Sequence, residues 1–184
     1  RTAGDDPLRH AFREINAKTG FAELVDEVLR QGQALAGGRA AVLLLANKAS
    51  GELDVSGVRE IPEESLAPYR ARPARTRWLH GDPESVSREL ANHKETAALA
   101  RAGYPHVRFL PIRIQVQPVG CLCVAGDRPL LVSPAERGCM DLFLEFIAQR
   151  IENAFLIYQL RQQNAHLELM MTKLQNAQNH ARRA

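Results

Sequence analysis

The sequence predicts an α/β (α+β) domain built on a central antiparallel sheet, followed by a long helix that leaves it. Three observations carry this. Two amphipathic helical stretches open the chain; two pairs of apolar, strand-like runs follow, each joined by a turn; and a capped helix starts at Ser133 and meets no Gly or Pro after Gly138. With 184 residues, 45% of them hydrophobic, the chain can bury one core, so a single globular domain with extensions is expected.

The elements follow in order. Leu8, Phe12 and Ile15 are spaced four and then three, which gives a short helix with a narrow apolar seam. After Thr19-Gly20 a stronger helix carries Phe21, Leu24, Val25, Val28 and Leu29 on one stripe, and Gly37-Gly38 ends it. "RAAVLLLA" reads as a buried strand, "NKASG" as a hairpin turn and "ELDVSGV" as the returning strand. Pro62-Glu63-Glu64 opens a short helix whose acidic start suits the helix dipole. From Tyr69 to Asn92 the pattern weakens, with one short strand expected around Trp78. "ESVSRELANHKETAALARAG" then predicts a helix stopped by Gly103.

"VRFLPIRIQVQPVGCLCVAG" is the clearest strand signal. Leu110, Ile112, Ile114 and Val116 share one face, while Arg113, Gln115 and Gln117 share the other. Pro118 is expected at the turn, with Val119–Ala125 as a central strand. Ser133, Pro134 and Glu136 in "SPAE" form a capping box with proline at the first helical position. A helix from there to Ala184 would extend roughly 75 Å at about 1.5 Å per residue, more than a domain of this size can cover.

That helix changes character along its length. Met140, Phe143, Leu144, Ile147 and Ile151 make a wide apolar face suited to packing on a sheet, and Phe146 and Phe155 extend it. Beyond Tyr158 only a narrow stripe remains. Ile157, Leu160, Asn164, Leu167, Met171, Leu174, Gln178 and Ala181 recur at alternating steps of three and four, a heptad pattern. With Ile157 at position a, Leu160, Leu167, Leu174 and Ala181 fall at d, and Asn164 and Gln178 at a. Asn at a pairs across a parallel dimer and fixes its register at some cost in stability. A parallel homodimer through the terminal helices is therefore expected, against the alternative of a surface helix packed on its own chain.

Composition excludes several classes. The longest uninterrupted apolar run, Ala40–Ala46, is far short of the ~20 residues of a membrane span, and no signal peptide opens the chain. Three cysteines make no disulfide framework, which points to a reducing cytoplasm. A net charge of +3 is too small to argue for nucleic acid, and the heptads carry no basic run. The start at an Arg and the unterminated last helix suggest an internal piece of a longer protein.

The order of elements resembles that of a GAF domain. "FREINAKTGFAELVDEVLRQGQALAGGRAAVLLLANKASGELDVSGV" is similar to the family's opening, and "LPI", "PVGCLCV", "LLVSPAE" and "FIAQRIENA" stand where its closing strands and exit helix stand. The resemblance covers about Leu8 to Leu160. It implies a six-stranded antiparallel sheet flanked by helices, with a ligand pocket between the sheet and the irregular middle segment. It divides the chain into a linker helix (1–18), a sensory domain (19–156) and a coiled-coil signalling helix (157–184). It also implies a cytoplasmic sensory or dimerising role, without catalysis in this chain. The helix would feed an output domain farther along the same chain, a histidine kinase or, in c-di-GMP signalling, a diguanylate cyclase. "LMMTKLQNAQNH" resembles a linker that precedes such outputs.

Candidate ligand residues gather in the middle segment and the last strand. "YRARPARTRW" sets arginines among aromatics, and Arg75, Arg77 and Trp78 suit a phosphate-bearing ligand, since guanidinium forks match phosphate oxygens; a solvated loop is the alternative. His93 and Tyr104 fall in or beside the same region. Cys121 and Cys123, two apart in a strand, share a face and either line the pocket or simply pack. A cysteine-dependent reductase, known among GAF proteins, is the enzymatic alternative; an empty, degenerate pocket in a constitutive dimer is the other. The six histidines show no zinc spacing, so no metal is assigned, and the ligand stays unnamed. His166 and His180 belong to the solvated face of the seam.

Overall fold

In a computed structural model of the protein, residues 6–47, 50, 52–70, 85, 88 and 93–183 are described. Helix α1 (Pro7–Asn16) starts at Asp6, whose carboxylate accepts from the Leu8 N–H at 3.1 Å, with proline in the first turn. Its apolar seam is part of the domain: Ala11 and Ile15 are fully buried, and Phe12 stacks on Phe146 with ring centroids 4.1 Å apart. Helix α2 (Phe21–Ala36) buries Leu24, Val25, Val28 and Leu29. It ends at Gly37, whose φ of 67° only glycine adopts without strain, while the Gly38 N–H bonds back to the Gln33 carbonyl at 2.9 Å.

Strands β1 (Ala40–Ala46) and β2 (Leu53–Arg59) form the first hairpin. Helices α3 (Glu63–Arg70) and α4 (Lys94–Arg101) precede the second hairpin, β3 (His106–Ile114) and β4 (Gln117–Gly126). The sheet order is β2-β1-β4-β3, antiparallel throughout, so the apolar "VGCLCVA" run is central as its composition requires. Four strands are present among the described residues, not six. The short strand expected around Trp78 lies outside them.

Alternation along these strands splits the interior into two cores. Ala41, Leu43, Leu110, Ile112, Leu122 and Val124 face α1, α2 and the first turns of helix α5 (Pro134–Arg183). Val42, Leu44, Phe109, Cys121 and Cys123 face the other way, toward Leu66 and Tyr69 of α3 and Leu99 of α4. On α2, Glu27 is only 5% exposed and is held by three groups. Arg30 and Gln31 donate to its carboxylate at 2.5 and 2.7 Å, and Lys18 stands 3.9 Å away.

The second hairpin turns earlier than its proline suggests. Gln115 and Val116 make a two-residue turn, with Gln115 at φ 56°, so Val116 is 82% exposed and off the buried face expected for it. Pro118 sits inside β4 opposite Arg113, and Val119 bulges out before Gly120 pairs with Ile112. A proline is tolerated there because the bulge interrupts the ladder that its missing N–H would have joined. Gly120 itself admits no side chain, since a Cβ would collide with the Leu44 carbonyl oxygen. No helix among the described residues is long and apolar enough to cross a membrane.

Candidate ligand face and exit helix

The face of the sheet covered by α3 and α4 gathers part of the expected ligand set. Cys121 and Cys123 point into it together, as their spacing of two requires, and both are buried. Tyr104 packs against the same cluster, and its hydroxyl donates to the Glu60 carbonyl at 2.9 Å, pinning the end of β2 to the loop after α4. His93 is the N-cap residue of α4. Arg75, Arg77 and Trp78 lie outside the described residues.

Tyr69 is a participant that reading the sequence missed. It sits three residues after Leu66 on α3, a spacing that marks one helix face, and its hydroxyl lies 3.7 Å from Cys123 Sγ. Burial pushes the Cys123 thiol up to about 12; the Tyr69 hydroxyl opposes this, and the charge of Glu95 reinforces it. Burial, aided by the neighbouring Cys123, drives Cys121 higher still. Tyr69 is also raised well above its ordinary range, by burial first and then by Cys123. Both thiols are thus protonated at neutral pH, and the thiolate that nucleophilic chemistry needs is suppressed. No group of three or more His, Cys, Asp or Glu among the described residues is arranged to hold a metal ion.

The exit helix starts from the capping box the sequence predicts. The Ser133 N–H donates to Glu136 Oε2 at 2.8 Å, and the Glu136 N–H donates to Ser133 Oγ at 3.1 Å. Met140, Phe143, Leu144, Ile147, Ala148 and Ile151 are buried in the core that includes α1, α2 and the sheet, Leu142 is exposed, and Arg150 Nη2 donates to the Lys18 carbonyl at 3.2 Å. Beyond Ala154 and Phe155 every described residue is exposed. Ile157, Leu160, Leu167, Met171 and Leu174 are between 49% and 63% exposed, so the a and d stripe is uncovered along its length. Asn164 and Gln178 lie in the same stripe, likewise exposed; Ala181 lies where side chains are not described. Leu156 and Met170 fall at g and widen the stripe on one side.

No family model matches the chain, and no curated protein sequence matches it. Solved structures do. A domain assigned to a two-component sensor histidine kinase protein from Sinorhizobium meliloti 1021 superposes with a TM-score of 0.60 at 17% identity, over 79% of this chain and 99% of that one. The GAF domain of an Acinetobacter phosphoenolpyruvate-protein phosphotransferase superposes with a TM-score of 0.60 at 16% identity, over 84% of this chain and 96% of that one. The fold is GAF-like. The chromophore-binding domain of a bacteriophytochrome from R. palustris aligns at a TM-score of 0.57 and 13% identity, over 82% of this chain and 62% of that one. At these identities the likeness speaks for the GAF-like architecture and leaves open what this chain binds.

Proposed function

We propose that this GAF-like chain is a cytoplasmic sensory and dimerising module, relaying a signal through a parallel coiled coil to an output domain farther along the same chain. A histidine kinase or a diguanylate cyclase would be that output. One observation carries the reading: α5 is a single helix whose core half is locked into the domain and whose heptad half has its seam in solvent. Apolar side chains left open in a row are stabilised by a second copy, and Asn164 favours the in-register, parallel arrangement. A change on the α3–α4 face would reach α5 through the sheet that separates the two cores, shifting the balance between seam packings a few kcal/mol apart.

The test is a cysteine at Leu167 in a Cys139→Ser background, with Gln162→Cys, on the outer face of the helix, as control. Oxidation should link Leu167→Cys into a covalent dimer and leave Gln162→Cys unlinked. Failure to crosslink at Leu160, Leu167 and Leu174 alike, with a single protomer in sedimentation at high concentration, would sink the proposal.

A second reading has an observation in its favour. Tyr69, Leu99, Phe109 and Cys123 pack into the centre of the face where a ligand was expected, each under 10% exposed. A constitutive dimeriser with a filled pocket would purify without a small molecule and show no thermal shift across nucleotides and metabolites. The raised thiols weigh against the reductase alternative.

A further inference from the structure

Sulfur is unevenly exposed in this chain. Of its three methionines, Met140 is 1% exposed inside the helical core, whereas Met170 and Met171 are 49% and 61% exposed on the seam half of α5. Cys121 and Cys123 are buried on the α3–α4 side of the sheet, and Cys139 is half-buried near the start of α5. The accessible thioethers are therefore an adjacent pair, set near the middle of the heptad stripe.

Their places in the repeat are not equivalent. Met171 falls at a, in the contact row itself, and Met170 at g, on its flank. The a positions run Ile157, Asn164, Met171 and Gln178, so Met171 is the one apolar a residue after Ile157. With Leu167 and Leu174 at the neighbouring d positions, it forms the apolar block between two polar layers. A polar group at Met171 would make three consecutive a positions polar, in a seam that already gives up stability for register.

We propose that Met170 and Met171 form an oxidation site that switches the coiled coil, a peroxide-class oxidant converting their thioethers to sulfoxides. The inference rests on the dimer reading above. In each step the peroxide O–O bond breaks and an S–O bond forms. Sulfur gives up two electrons, and the other peroxide oxygen leaves as water. The sulfoxide oxygen is a strong acceptor, and seating it against a partner helix costs its hydration. In the reverse step two thiols of a reductase become a disulfide and the oxygen leaves as water. The protomer exposes Met171 and the dimer covers it, so dimerisation slows its oxidation as oxidation weakens the dimer. Met170, on the flank, is less protected.

The test uses the intact chain with Cys139→Ser, so that no half-buried thiol is oxidised alongside, treated with hydrogen peroxide and then catalase. Sedimentation equilibrium should show the untreated chain dimerising and the treated chain with a dissociation constant raised about tenfold or more, the scale of seating a polar group without its partners. Peptide mass spectrometry should place the added oxygen on Met170 and Met171 and not on Met140. Raising the protein concentration through the dimerisation range should slow oxidation of Met171 far more than of Met170. The two epimer-specific methionine sulfoxide reductases, with dithiothreitol, should restore the dimer. The double variant Met170→Leu, Met171→Leu should dimerise as its parent does and ignore peroxide, whereas Met171→Gln should weaken the dimer without it. An untreated chain that stays a protomer would sink the coiled-coil reading and this one together. A chain that keeps its dimer with Met171 oxidised, or a double leucine variant that still dissociates on peroxide, would overturn this inference alone.

Discussion

Burial sets the behaviour of Cys121 and Cys123. With Cys123 pushed up to about 12 and Cys121 higher, iodoacetamide at pH 8 should label Cys139 first and reach the strand thiols only after urea unfolding. Peptide mapping of the labelled protein checks this, and rapid native-state labelling of Cys123 would contradict it. Their shared face was legible from a spacing of two. Their protonation was not, because it follows from burial under α3 and α4, which meet β4 only in the fold. Glu27 makes a second residue-scale prediction. Burial works to raise its carboxyl, but the hydrogen bonds from Arg30 and Gln31 and the charges of Arg30 and Lys18 outweigh that and hold it low. A carboxyl depressed in the folded state adds stability above its unfolded value of about 4.3, and loses it as pH falls through the lower folded value. Urea midpoints should therefore drop between pH 5 and pH 3, and Glu27→Gln should flatten that slope while lowering stability at pH 7.

Elements with strong local signals were read correctly, and those fixed by their partners were not. The capping box at Ser133 and the Gly37 stop are local, since each is built from residues within five positions of one another. Ser133→Ala should cost about 1 kcal/mol in chemical denaturation, the usual scale for a lost N-cap. The β3–β4 turn went the other way: Pro118 signals a strand end, yet the bulge at Val119 lets β4 run through it, and the turn falls at Gln115 and Val116. In α5 the heptad stripe is a matter of residue spacing alone, and the structure leaves that stripe in solvent. In the proposed dimer, Asn164→Val should tighten association by about 1–3 kcal/mol, the scale of burying a valine, and relax the preference for one register. Sedimentation equilibrium and crosslink patterns at Leu160 and Leu174 measure the two effects separately.

At the scale of the whole molecule, the sheet separates a layer of α1, α2 and α5 from a layer of α3 and α4, and the first was the more legible. The order of elements from Leu8 to Leu160 carried the likeness to GAF domains, but a hollow of about 670 Å³ between the hairpin tips and the root of α5 is lined by the two bulged residues, Ser56 and Val119, which meet only in three dimensions. The middle segment, where arginines and Trp78 were expected to meet a ligand, lies outside the described residues. A chain ending at Tyr158 retains every buried residue of both cores. It should keep its near-ultraviolet circular dichroism, lose the helical signal of residues 159–183, and sediment as a protomer.

The unbroken run of α5 from Met140, locked in the core, to Leu174, in the open seam, contains no joint. Its two halves are therefore geared as one shaft, with their relative phase set by residue count. At about 100° per residue, one residue inserted near Tyr158 would swing the seam by more than a quarter turn and four would swing it by about 40°. Seven would return it to within about 20° of its starting azimuth. Whatever is coupled below the seam inherits that angular setting from the sheet above it.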